Sequence, residues 1–354
     1  MTAPSSLPSL PFDKATVLGA GLMGRLLAVA LARRGCAVSL HEAQGPDAGG
    51  AAARVAAAML APLAESAIAP LSVARMGHYG LQRWPELLAE LAQPVFFQRE
   101  GTLVLWHRQD AAEAARFAAT LDRNAQALAE LPAPQRLDAG GISALEPDVG
   151  QRFMQGLWLP GEGQLDNRAL LAALLATLQS LPNVQLHWHS PRTPEDFAPG
   201  ASERVIDCRG LGARPQWPAL RGVRGEVIRV HAPEVGLTRP TRLVHPRYPL
   251  YIAPKPDGVF VIGATEIESD DMSPASVRST LELLSAAYTV HSGFAEARIL
   301  EIATQCRPTL PDNLPEVRHL QPRVLQVNGL YRHGFLIAPA LLDRTLELLS
   351  QTTP

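Results

Sequence analysis

The chain has 354 residues and 47% hydrophobic side chains, enough for a large core and for two domains rather than one. Its formal net charge of −2 argues against nucleic acid or an anionic membrane surface as a partner. Three widely spaced cysteines, Cys36, Cys208 and Cys306, have no metal-ligand spacing and point to free thiols in a reducing cytoplasm.

Met1 to Asp13 is rich in Pro and Ser and lacks a basic start and an apolar core, so it reads as a loose tail rather than a signal peptide. Ala15 to Leu18 is then a short apolar strand running into Gly19-Ala20-Gly21-Leu22-Met23-Gly24. A helical segment, Leu26 to Ala32, a break at Gly35 and a second strand, Ala37 to Leu40, follow and end on Glu42. Gly19 allows the tight turn, Gly21 lets a pyrophosphate approach the backbone, and Gly24 lets the helix pack close to the strand. The helix offers N–H groups and a positive dipole end to phosphates. Glu42 at the strand tip suits two free ribose hydroxyls and repels a 2′-phosphate, which favours FAD or NAD over NADP.

Ala48 to Ala64 is mostly small residues and closes with Met59-Leu60-Ala61-Pro62. It allows close approach to a bulky flat group, or alternatively forms a close-packed helix. Val73 to Leu91 is helical, with Trp84-Pro85-Glu86 as a new start. Phe96 to His107 reads as a strand pair, Ala111 to Leu131 as an amphipathic helix and Ile142 to Pro147 as a short helix. After the strand Gly156 to Leu159 and the turn Gly161-Glu162-Gly163, Asp166 is an N-cap for the helix Asn167 to Gln179. Val184 to Trp188 is a strand, and Val205 to Cys208 runs into Gly210-Leu211-Gly212, the pattern of a second close approach to a cofactor.

Val223 to Val230, Leu243 to His245, Pro249 to Ala253 and Val259 to Gly263 are strands separated by turn residues, an antiparallel sheet inserted into the nucleotide-binding part. A helix from Ala275 to Tyr288 follows, then a strand-like run at Glu301 to Cys306, the strand Val324 to Asn328 and a closing helix, Ala338 to Ser350. No apolar run is long enough to cross a bilayer. Of the 32 basic residues only Lys14 and Lys255 are lysine, so position, not mere presence, gives an arginine meaning.

Five stretches of the second half belong together. They are Gly225-Glu226, Tyr248 to Pro254, Ile262 to Glu266, Cys306-Arg307-Pro308-Thr309-Leu310-Pro311-Asp312, and Asn328 to Phe335 with Ala338-Pro339. With the glycine-rich turn they closely resemble the D-amino-acid oxidase family of flavoproteins, in its glycine-oxidase, thiamine-pathway branch, over about residues 13 to 350. The resemblance implies an α/β fold: a Rossmann-like FAD-binding domain (13–76, 136–218 and 303–352) with an inserted antiparallel-sheet substrate domain of α+β type (77–135 and 219–302). It implies non-covalent FAD and oxidation of a small amino acid or amine to an imino acid that hydrolyses, with O2 reduced to peroxide. A tetramer is implied as the assembly.

By position, the resemblance makes Arg307 the clamp for the substrate carboxylate, Tyr251 the residue lying over the site and Arg332 a second polar contact. It places Gly19, Gly21, Leu22, Met23, Gly24, Glu42, Ala43, Ala57, Ala58, Met59, Gly210 and Gly329-Leu330-Tyr331-Arg332-His333-Gly334-Phe335 around FAD. Arginine suits the clamp on its own chemistry, being a planar fork of fixed charge, and Pro308 disfavours helix at that position. Backbone N–H groups near Arg332 to Phe335 and the positive end of the last helix suit negative charge on a reduced flavin.

No general base is needed if the amine enters neutral, and His245 and His333 read as hydrogen-bonded loop residues. Arg54 and Val55 depart from the small or hydroxyl residues usual beside the pyrophosphate. Glu266 replaces an apolar pocket residue and either attracts the substrate ammonium or pairs with an arginine. Cys306 stands where sarcosine-oxidase relatives attach flavin covalently, although its surroundings resemble the non-covalent branch. The rival readings are an oxidase of the same fold for sarcosine, D-proline or larger D-amino acids, an NAD-dependent dehydrogenase, and a non-catalytic flavoprotein.

Overall fold

The strand Lys14–Leu18 lies between Ala37–His41 and Glu203–Asp207, parallel to both. Burial alternates along Ala37–His41, with Val38 and Leu40 in the core shared with the helices and His41 on the other face against His187 and Phe197. Val184–His187 extends the sheet on one side; Val324–Asn328 extends it on the other, and Glu316–Gln321 closes that edge antiparallel. The computed structural model describes residues 10–245 and 250–351. The tail before Leu10 and the Tyr248-Pro249 part of one motif therefore lie outside the described residues.

Helices Leu22–Arg33, Asn167–Ser180 and Gly334–Ser350 share one apolar core with this sheet, bringing Leu26, Leu174 and Leu342 against Val17, Ile206 and Val327. Asp166 caps the second of these helices, its Oδ1 accepting the N–H groups of Arg168 and Ala169, as its position in the sequence predicts.

Among the described residues the second sheet has nine strands, one of them the short Ile267–Glu268, antiparallel to Arg221–His231 at Arg224. Arg221–His231 is paired along its length with Arg298–Thr309 and, through Val227 to His231, with Val259–Gly263. Leu250–Lys255, Thr241–Val244, Thr102–Trp106, Gln155–Leu159 and Gln135–Asp138 continue the order. Every pair is antiparallel except Thr241–Val244 with Thr102–Trp106, so the inserted sheet is mixed rather than purely antiparallel. The strands at 135–138 and 155–159 lie in this sheet, although the sequence groups them with the nucleotide-binding part. A three-stranded sheet of Met59–Leu60, Gly163–Leu165 and Phe97–Gln98 stands beside it.

Four local expectations change. Phe97–Gln98 and Thr102–Trp106 are not a pair: the first joins Gly163–Leu165 and the second joins Gln155–Leu159. Pro85 does not start a helix but lies within Leu71–Ala89. The lost backbone hydrogen bond is offset by tertiary packing, since Trp84 is buried, its Nε1 donates to Phe335 O at 2.8 Å, and Gly80 lets the helix meet the Leu336 carbonyl. The run at Glu301 to Cys306 is part of one long strand, Arg298–Thr309, which holds Arg307 extended just before Pro308. The closing helix begins at Gly334 and carries Pro339 in its second turn, where the carbonyl that loses its helical donor, Phe335 O, accepts Trp84 Nε1 instead.

Candidate active site

The glycine turn is shaped by backbone demands. Gly19 has φ +92°, and a Cβ there would sit 2.8 Å from Cys208 O. A Cβ on Gly24 would overlap the Gly19 carbonyl oxygen, so helix and turn close on each other only with glycine. Gly21 is the N-cap of Leu22–Arg33 and no side chain caps that end, leaving the first N–H groups of the helix for a ligand. Glu42 Oε2 accepts Ala20 N–H at 2.6 Å and Oε1 accepts Gln44 N–H at 2.9 Å, which fixes the carboxylate beside the turn with lone pairs to spare.

One cavity of about 1380 Å³ is lined by Gly19, Gly21 and Glu42 from the six-stranded sheet and by Tyr251, Glu266 and Arg307 from the nine-stranded sheet. That exceeds the range of roughly 300–1,000 Å³ for ordinary small-molecule sites, and suits a dinucleotide together with a small substrate. Leu22, Met23, Ala43, Ala57, Ala58, Met59, Gly210 and the run Leu330 to Phe335 line it as well. Gly24 and Gly329 are not among its lining; Gly24 serves the close packing just described, and Gly329 turns the chain at φ +76° against Leu310. Asn328 donates its side-chain N–H to Gly210 O at 2.9 Å, which ties two of the glycine loops together. Val55 reaches the cavity, whereas Arg54 donates to Asp47 O in its own loop.

Arg307 lies in the long strand with its guanidinium against Gly225, where a Cβ would come within 2.5 Å of Cζ. Nη1 donates to Arg224 O at 3.3 Å and Nη2 to Thr265 O at 3.1 Å. These are neutral carbonyls, and Arg307 makes no ion pair among the described residues. Burial lowers its pKa, offset in part by Tyr251 and Glu266 and reinforced by Arg332. A partly buried guanidinium that faces a cavity and touches only neutral carbonyls has the charge and the planar fork that suit a carboxylate.

Arg332 stands differently. Its Nε lies 3.1 Å from Glu65 Oε2 and its Nη1 pairs with Glu266. Burial alone would lower the Arg332 pKa, yet the two carboxylates raise it. Glu65 also accepts from Arg242 Nη2 at 2.7 Å and lies 3.2 Å from His333 Nδ1. Burial pushes Glu65 up, but Arg332, Arg242 and His333 outweigh it and hold its carboxyl well below the usual range. Tyr251 lies across Gly263, where a Cβ would come 2.5 Å from the phenol oxygen. Burial raises its pKa and keeps it a neutral phenol against the opposing pull of Arg307, Arg332 and Arg242.

Glu266 Oε1 accepts the Tyr331 hydroxyl at 2.5 Å, so both carboxylate oxygens are engaged within the chain. Burial and Glu266 push Tyr331 up to about 12. Cys306 donates its thiol to Ser269 O and Asp271 O, and burial raises its pKa, so it is a thiol turned away from Arg307 and not an activated thiolate. His333 is buried beside Glu65.

Glu65 and Arg242 were not legible as site residues. The only signal for Glu65 is a single carboxylate at the end of an apolar run, Met59 to Ala64. Among the described residues no helix is long and apolar enough to cross a membrane, and no cluster of side chains could hold a metal ion.

The profile of the DAO family, described as FAD dependent oxidoreductase, matches residues 14–343. A Rhizobium etli protein with the provisional name thiamine biosynthesis oxidoreductase ThiO is 41% identical over 333 residues, covering 94% of this chain and 95% of its own. The crystal structure of glycine oxidase from Geobacillus kaustophilus superposes with TM-score 0.78 at 22% identity, covering 98% of this chain and 96% of that one. Glycine oxidase from Bacillus cereus gives TM-score 0.79 at 20% identity, covering 97% and 96%. The two structures are similar in fold, and the Rhizobium protein is similar along nearly the whole sequence.

Proposed function

Because the chain belongs to the DAO family of FAD-dependent oxidoreductases and is an amino-acid oxidase-like enzyme, we propose that its reaction is the oxidative deamination of glycine in the service of thiamine biosynthesis. The products are glyoxylate, ammonia and hydrogen peroxide. The observation that carries this reading is Arg307, which among the described residues has no ion-pair partner and stands beside Tyr251 in a cavity continuous with the dinucleotide turn. The relation to the Rhizobium protein supports the thiamine context.

Gly19, Gly21 and the first turn of Leu22–Arg33 would hold the pyrophosphate, Glu42 the ribose, and Ala57 to Met59 with Leu330 to Phe335 the remainder of FAD. When bound, FAD would supply the two-electron acceptor for the substrate carbon and the means of reducing O2 to peroxide. Arg307 holds the substrate carboxylate through the N–H groups its two carbonyl contacts leave over. Tyr251 fixes the opposite wall of the substrate position. Ala57, Val227 and Met59 form an apolar flank that limits water around the α-carbon. The amine enters neutral, so no side chain in this scheme must take its proton.

Purified protein should show a flavin spectrum with colour released on acid precipitation, and should form peroxide with glycine. Sarcosine, D-alanine and D-proline rank the pocket. Arg307→Lys keeps the charge but replaces a planar fork by an ammonium. It should cut kcat/KM by about 10 to 100-fold, the loss of one charge-assisted hydrogen bond. A lysine variant as fast as the parent sinks the reading, as does a flavin-loaded parent that makes no peroxide with any of the four amines.

A further inference from the structure

Three guanidinium groups, Arg242, Arg307 and Arg332, act on the Tyr251 phenol together with one carboxylate, Glu65. The second carboxylate of the group is Glu266, paired with Arg332 and held by the Tyr331 hydroxyl. Among the described residues of this group three positive charges stand against two negative charges, and Arg307 is the member without an ion pair. As read above, the site therefore carries charge for a single carboxylate. Glu65 is divided among Arg242, Arg332 and His333, so it cannot by itself neutralise both arginines. Glu266 supplies what is missing. Its side chain is 45% exposed, and it lines the same cavity as Arg307.

We propose that Glu266 is a specificity-determining residue that closes Arg332 to ligands and so limits the enzyme to amines bearing one carboxylate. Resting on the proposed function, this refines the substrate class of that site to monocarboxylate amino acids, with amines carrying two carboxymethyl arms excluded. A dicarboxylate entering the parent must displace Glu266 from Arg332 and Tyr331 or leave its second charge facing Glu266. Removing the charge at position 266 leaves a second positive charge in the cavity, matched to that second arm.

The test uses the FAD-loaded protein and two unreactive ether analogues that differ by one carboxylate, methoxyacetate and oxydiacetate. Binding is read from the flavin absorbance and from inhibition of glycine oxidation. The parent should bind methoxyacetate more tightly than oxydiacetate. In Glu266→Gln the ratio should move toward the dicarboxylate by about tenfold or more, the size expected for gaining one close opposite charge in a partly screened site. The kcat/KM ratio of iminodiacetate to sarcosine should move the same way. Glu266→Asp, which keeps the charge, should hold the parent ratio.

A change that weakens both analogues equally in Glu266→Gln would show that Glu266 only supports the Tyr331 turn, and would overturn the proposal. So would a parent that already prefers oxydiacetate. The titrations need no turnover, so they separate the two readings: a parent that binds methoxyacetate but leaves glycine unoxidised fails the proposed function alone. A parent that binds neither analogue fails both.

Discussion

Gly225→Ala tests whether the position of one guanidinium sets catalysis. The added methyl would stand 2.5 Å from Arg307 Cζ, so the guanidinium must retreat by about 1 Å to reach ordinary contact at 3.4 Å. Arg307 can retreat because its other contacts are two carbonyls, Arg224 O and Thr265 O, at 3.3 and 3.1 Å. The backbone at 225 is an ordinary strand position paired with Gln305, which accepts alanine. Folding and FAD content should therefore change little, while the carboxylate clamp moves away from its working place. A displacement of about 1 Å in a positioning group costs on the order of 100-fold, or about 2.7 kcal/mol of transition-state stabilisation. The assay is kcat/KM for glycine from peroxide release, with the melting temperature and the flavin-to-protein absorbance ratio measured on the same preparation. A variant with intact flavin content and kcat/KM within about threefold of the parent, a change under 1 kcal/mol, refutes the reasoning.

Gly24→Ala places a methyl on a backbone oxygen that no rotamer change can move, that of Gly19. The turn must open, and the expected outcome is protein that loses its flavin on desalting and melts at lower temperature; stoichiometric flavin and an unchanged melting temperature would contradict it. Glu162 predicts a pH effect on stability. Its Oε1 accepts Ala64 N–H at 2.7 Å, and burial, only partly offset by Arg242, raises its pKa from 4.5 to about 7. In the unfolded chain this carboxyl ionises near 4.5, whereas in the folded chain it stays protonated until about 7. The folded state thus binds more protons between those values, and stability falls as pH rises through that window, by about 3 kcal/mol for this group. Glu162→Gln should remove that loss, so urea unfolding at pH 5 and pH 8 should differ less in the variant than in the parent. Equal pH dependence in the two proteins would show that Glu162 ionises freely.

The sequence by itself determined the nucleotide-binding unit, because its requirements are local. A turn at positive φ, a helix packed against a carbonyl and an acid at the tip of the next strand can each be met only by particular residues at short spacing, here Gly19, Gly24 and Glu42. The extended backbone at Arg307 was legible in the same way, from Pro308 beside it. Tertiary structure decided everything that depends on distant partners. The split of Phe97–Gln98 and Thr102–Trp106 into different sheets depends on strands more than fifty residues further on. Pro85 stays inside a helix because Trp84 and Gly80 meet the last helix. Most of all, the sequence presents Arg242, Arg307 and Arg332 as three similar cations among many. Only folding brings Glu65 and Glu266 to two of them and leaves the third without an ion pair among the described residues, since a charge is paired by what lies within a few ångströms, wherever in the chain it originates.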